Sequence, residues 1–144
     1  MHTKPTSIGH RISILYRLGQ CYLDTELKVY GFGSGQFMFL MTLLKKDGIS
    51  QETLTSILNI DKGTTARALH KLERAGYILR ITDPEDKRAN LVYVTPKATK
   101  LKPALLEITS KWTNGLLENC TDKARDQVFR LLSRLAENAL KLLR

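Results

Sequence analysis

Between Ser50 and Thr95 the spacing of apolar residues changes from a helical period to two β-branched and aromatic runs. That switch constrains the chain more than any other feature, because few small folds follow two short helices with a hairpin. Ser50 is placed to cap a helix over about Gln51 to Leu58, with Leu54, Ile57 and Leu58 inward. A turn follows at Asn59-Ile60, and Asp61 then caps a helix from Lys62 to about Ala75, which Gly76 ends by accepting the left-handed conformation. Tyr77 to Ile81 and Leu91 to Thr95 read as strands on either side of Thr82 to Asn90, a polar stretch containing Asp83-Pro84. The result is a helix-turn-helix followed by a hairpin with a charged tip.

The flanks are helical. Ile8, Ile12, Leu15, Leu18, Tyr22 and Leu23 recur at three- and four-residue steps, predicting an amphipathic helix from residue 7 to about 29. The glycine cluster from Gly31 to Gly35 is not a phosphate loop, since no strand precedes it and no Lys-Ser/Thr follows; Ser34 is expected to cap the next helix, carrying Phe37, Leu40, Met41 and Leu44. Thr95-Pro96 opens a fifth helix with a stripe from Leu101 to Leu117, which Pro103 should kink or restart. Thr121-Asp122 begins a sixth, whose apolar face, including Val128, Leu131, Leu132, Leu135 and Leu142, is wider than one packing partner needs. The expected fold is mostly α with a small β-hairpin wing: residues 33–95 form the winged region, and residues 1–32 and 96–144 supply dimerisation helices, all in one structural domain.

Charge adds a partner class. The chain has 144 residues, 23 Lys+Arg against 14 Asp+Glu, and a net charge of +9; residues 60–102 hold 10 basic and 5 acidic residues. Such a concentration is either a solvated surface or a footprint for a polyanion, and pattern has to decide. At 42% hydrophobic the chain is too apolar for disorder, while charged residues such as Lys45 and Lys46 interrupt every run before membrane-spanning length. The first residues lack the apolar core of a signal peptide, so the expected location is cytoplasmic, with no membrane partner. Cys21 and Cys120 sit in apolar periodic segments and read as core or interface thiols. Three scattered histidines and no Ser/His/Asp or paired-carboxylate arrangement predict neither enzyme nor metal site, and no cofactor.

On a helical wheel of residues 62–75, Ala66, Leu69 and Leu72 are assigned inward and Thr64, Arg67, Ala68, Lys71 and Arg74 outward. A basic face with small residues near its start suits a helix in the DNA major groove, and Gly63 leaves room for a backbone or phosphate at some cost in helix propensity. The tip, Asp83-Pro84-Glu85-Asp86-Lys87-Arg88, has more acid than base, so bulk attraction is not its purpose. An Asp86–Arg88 pair would instead aim one guanidinium, the group best suited to a narrow minor groove.

Residues Asp61 to Ile78, together with Asp83 to Ala89 and the following Val92 and Val94-Thr95, resemble the recognition helix and wing of the MarR family of transcription regulators. The likeness extends more loosely over the whole chain, departing at Ala98, where many members have glycine, and at Pro103. The resemblance implies a homodimer that acts as a repressor on a pseudo-palindromic double-stranded DNA operator. Under it Thr64, Thr65, Arg67 and Lys71 contact bases and phosphates, Lys62 and Ser50 touch phosphates, and Arg88, held by Asp86 beside Lys87, enters the minor groove. It also implies release by a small anionic, aromatic or phenolic effector, for which His10, Tyr16, Arg17 and Tyr30 are the candidate lining. Two other readings share the scaffold: a redox sensor using Cys21 as its oxidisable thiol, and a winged-helix protein-interaction module that binds no DNA.

Overall fold

The computed structural model describes residues 7–144, which fall into two compact units, one ending at Ile108 and one beginning at Thr109. The order of elements is α1 (Ile8–Leu27), a 3-10 turn (Lys28–Tyr30), α2 (Ser34–Lys45), β1 (Ile49–Ser50), α3 (Gln51–Leu58), α4 (Lys62–Arg74), β2 (Ile78–Thr82), β3 (Asn90–Val94), α5 (Pro96–Leu116) and α6 (Asp122–Leu142). The mostly helical architecture with a small antiparallel sheet agrees with the sequence-based expectation.

Three helix starts follow their predicted caps. Ser50 Oγ accepts the Thr53 N–H at 3.0 Å, Asp61 Oδ1 accepts the Thr64 N–H at 2.8 Å, and Thr121 Oγ1 accepts the Ala124 N–H at 3.1 Å. The start of α2 differs from expectation: Gly33, not Ser34, is the N-cap. Glycine has no side chain to cap with, so Asp24 of α1 supplies the acceptor, its Oδ1 taking the Ser34 N–H at 2.7 Å. A Cβ at position 33 would lie 2.7 Å from that same oxygen, so a side chain there would push the Asp24 carboxylate off the Ser34 N–H.

In the first unit, Leu40 and Leu43 of α2, Leu54 of α3, Leu69 and Leu72 of α4 and Leu105 of α5 form the centre of one buried core. Ile78 and Val92 close it from the sheet. Of the α3 residues expected inward, Leu54 is fully buried while Ile57 is exposed. The sheet has the order β1-β3-β2, all antiparallel, with Ile78 opposite Val94, Arg80 opposite Val92, and Ile49 opposite Val92 on the far edge. β1 is an addition to the expected hairpin. Pro103 neither stops nor restarts α5, which is continuous from Pro96 to Leu116; a proline there removes one N–H from the ladder, and the buried Ala98 and Leu105 hold the helix on both sides of it.

In the second unit, Arg125 Nη2 donates to Asn114 Oδ1 at 2.9 Å, joining the end of α5 to the start of α6. Asn119, at φ 64°, makes the left-handed turn between them. No residue of α6 is buried within the chain.

Candidate nucleic-acid interface

The first turn of α4 is built as a relay. Asp61 accepts the Thr64 N–H with one carboxylate oxygen and the Thr64 hydroxyl with the other, both at 2.8 Å, and Thr64 Oγ1 accepts from Arg67 Nη2 at 3.2 Å. The carboxyl of Asp61 is held below its ordinary pKa, chiefly by the Thr64 backbone N–H, then by its hydroxyl, with a smaller contribution from Arg67. A Cβ on Gly63 would stand 3.4 Å from Arg67 Nη1 and from Asp61 Oδ1. The guanidinium therefore lies alongside Gly63, over the exposed start of the helix.

The inward stripe of α4 is Thr65, Ala68, Leu69 and Leu72, the i, i+3, i+4, i+7 pattern of a packed helix. This corrects two expected contacts. Thr65 is fully buried, its hydroxyl donating to the Asp61 carbonyl at 2.9 Å and accepting from Thr55 Oγ1 at 3.1 Å, so it ties α4 to α3. Ala68 is buried in the core as well, and neither is available to a groove. Ala66, expected inward, is only half-buried. The exposed face consists of Lys62, Gly63, Arg67, His70, Lys71 and Arg74, with Thr64 half-buried at its margin. His70 is the addition; its position between Arg67 and Arg74 follows from placing Thr65, rather than Ala66, inward. Lys71 flanks this face near Asp24, whose carboxyl is lowered first by the Ser34 backbone N–H, then by the Ser34 side chain, and more weakly by Lys71.

The wing tip orders itself through its acids. Asp83 Oδ1 accepts the Glu85 N–H at 2.9 Å and Asp86 Oδ1 accepts the Arg88 N–H at 3.0 Å, two turns in which a side chain caps the backbone two residues on. Backbone bonds from Asp83 to the Ala89 carbonyl and from Ala89 to the Asp86 carbonyl close the loop. Asp86 and Arg88 do meet, but through the backbone of Arg88 rather than its guanidinium, because the short Asp side chain reaches the nearer N–H. Lys87 and Arg88 are exposed. An open cleft of about 280 Å³ separates the tip from the helices, lined by Gln51, Glu52 and Thr55 of α3, Lys62 of α4, and Asp86, Arg88, Ala89 and Asn90. Cations from both the helix start and the wing thus border one space.

The remaining expected site residues are dispersed. Ser50 uses its hydroxyl within α3, accepting from the Thr53 N–H and donating to Thr53 Oγ1 at 2.8 Å. His10, Tyr16 and Arg17 are exposed on α1, with Arg17 Nη1 bonded to Ser13 Oγ at 2.6 Å and Tyr16 Oη accepting from Gln20 Nε2 at 3.0 Å. Tyr30 packs against the core, and its carbonyl accepts the Tyr77 hydroxyl at 2.6 Å. Cys21 and Cys120 are both free and exposed, not core thiols. Among the described residues no helix is long and apolar enough to cross a membrane.

Comparison with known proteins matches residues 33–89 to the MarR family, the segment from the start of α2 through the wing tip. A crystal structure of a MarR transcriptional regulator from Methanosarcina mazei Go1 is 46% identical, with 94% of this chain and 97% of that one covered at a TM-score of 0.90. A putative MarR family transcriptional regulator from Listeria monocytogenes, solved in complex with 26mer DNA, is 27% identical with a TM-score of 0.85 over 92% of this chain and 89% of that one. The uncharacterized HTH-type transcriptional regulator YybA of Bacillus subtilis is 28% identical over 131 residues, covering 91% of this chain and 87% of the relative.

Proposed function

The chain belongs to the MarR family of transcriptional regulators, and from that premise we propose that it binds double-stranded DNA with α4 in the major groove and the wing tip in the adjacent minor groove. The observation that carries this reading is the exposed face of α4, where Arg67 lies beside Gly63 with His70, Lys71 and Arg74 behind it, next to the cleft bordered by Lys62 and Arg88. A winged module that met only proteins has no need of such a face, and none of the geometry favours Cys21 as a redox centre.

The proposal includes a homodimer on a pseudo-palindrome in the cytoplasm, with half-sites about one turn, roughly 34 Å, apart. Exposed apolar residues on α1 and α6 support the dimer. Repression, and its release by a small aromatic or phenolic anion, rest on family membership alone.

Two substitutions test the DNA reading on duplexes recovered from genomic fragments bound by the wild type. Arg67→Ala is expected to weaken binding by about 1–3 kcal/mol and relax preference at one or two base pairs. Lys62→Ala should weaken all sequences alike and reduce the slope of log affinity against log salt by about 1. Binding that ignored salt, or wild-type affinity in both variants, would refute the proposal.

A further inference from the structure

Arg80 and Glu73 make a two-bond contact outside the expected set of groove residues. Arg80 donates from Nε to Glu73 Oε2 at 3.2 Å and from Nη2 to Oε1 at 3.0 Å. This fork geometry fixes direction as well as distance. The side chains are 23% and 35% exposed, so the pair is neither buried nor free in solvent.

Its position in the fold is informative. Along the face of β2 turned toward the helices, Ile78 is buried, Arg80 is half-buried and Thr82 is exposed. Arg80 is therefore the outermost residue of that face still attached to α4, and the tip carrying Arg88 lies beyond it. On the opposite edge of the sheet, β1 pairs Ile49 with Val92, and Val92 is also the partner of Arg80. The hairpin is thus held at one level from both sides, by β1 on one edge and by Glu73 of the recognition helix on the other.

We propose that the Glu73–Arg80 bridge is a positioning device that fixes the angle between α4 and the wing, and so decides whether Arg67 and Arg88 reach their grooves together. The inference rests on the DNA-binding reading above, and neither bridge residue needs to touch DNA for it to hold. At about 3.4 Å per strand residue, the tip begins roughly 10 Å beyond Arg80, so a small rotation at the bridge moves Arg88 by ångströms. A partly exposed ion pair adds little to folding, so its removal is expected to change recognition more than stability.

The test is a double-mutant cycle on duplexes recovered with the wild type, read as affinity alongside the unfolding temperature of each variant. Glu73→Ala is expected to weaken binding about tenfold with little change in unfolding temperature, comparable to one mismatched base pair. In an Arg88→Ala background the same substitution should cost less than about threefold, because the group it misplaces is gone. The exchanged pair, Glu73→Arg with Arg80→Glu, should recover most of the affinity, which would not happen if Arg80 itself gripped a phosphate. An equal cost with and without Arg88, or an exchanged pair no better than Glu73→Ala, overturns the inference. If the wild type binds DNA and Glu73→Ala binds equally well, only the bridge proposal falls; if the wild type recovers no duplex, the DNA reading falls with it.

Discussion

Asp61 links the folding of α4 to the aim of Arg67, since the carboxylate that caps the helix also holds the Thr64 hydroxyl that meets the guanidinium. Asp24 at the start of α2 and Glu73 in the bridge are likewise held below their ordinary pKa, by the Ser34 backbone N–H and by the Arg80 side chain respectively. For all three the unfolded chain binds protons at higher pH than the folded one. Their stabilisation is present above the ordinary carboxylate range and is lost as pH falls through the lowered values. The unfolding temperature should accordingly be level from about pH 7 to 5 and fall below about pH 4. Asp61→Asn keeps an acceptor at the cap but loses the ionisation, so calorimetry should show a shallower acid decline for that variant. At this scale the cap residues were legible because a cap and its target are three residues apart. The wheel is less so: with Ala66 placed inward and Ala68 outward the stripe is rotated away from Thr65, and only the hydroxyl's bonds to Thr55 and the Asp61 carbonyl explain why a threonine belongs inside.

Elements are joined at their ends, and the exit of α4 is the clearest case. Lys97 of α5 donates to the Ala75 carbonyl at 2.7 Å while its ammonium lies 4.5 Å from the centre of the Tyr77 ring, and Thr95 Oγ1 donates to the Gly76 carbonyl at 2.7 Å. The first occupies the carbonyl that the end of α4 leaves unpaired at Ala75, and the second ties down the carbonyl just beyond it. Lys97→Met retains the stem but removes the donor and the charge; thermal denaturation should show a loss of about 0.5–1.5 kcal/mol. Sequence pattern located α4, its cap and Gly76, yet not this brace, because Lys97 is 22 residues from Ala75 and nothing local marks the pair. The same reason hid Asp24 as the cap of α2. β1 was illegible on other grounds: Ile49 and Ser50 are too few to show alternation, and pairing with β3 alone makes them a strand.

For the whole molecule, the apolar residues of α6 are the unsettled surface of an isolated chain. Phe129, Leu131 and Leu132 are each more than half exposed, and Leu135 stands among them at 37%. A soluble protein rarely leaves so continuous an apolar face in water. Leu135→Glu is expected to convert a dimer to a monomer in sedimentation velocity while the circular dichroism of the first unit's helices persists; a wild type that sediments as a monomer would remove the dimer from the proposal. This wide stripe was readable from sequence, since a face broader than one neighbour needs is visible in the periodicity itself. The wing adds a thermodynamic consequence. Because Asp83 and Asp86 shape the tip through bonds inside the loop, its conformational entropy is surrendered when the chain folds and not when it docks. On the DNA-binding proposal, association at the wing is the meeting of two preformed surfaces, and the heat-capacity change on docking should reflect the area covered, without the excess that accompanies a segment ordering on its target.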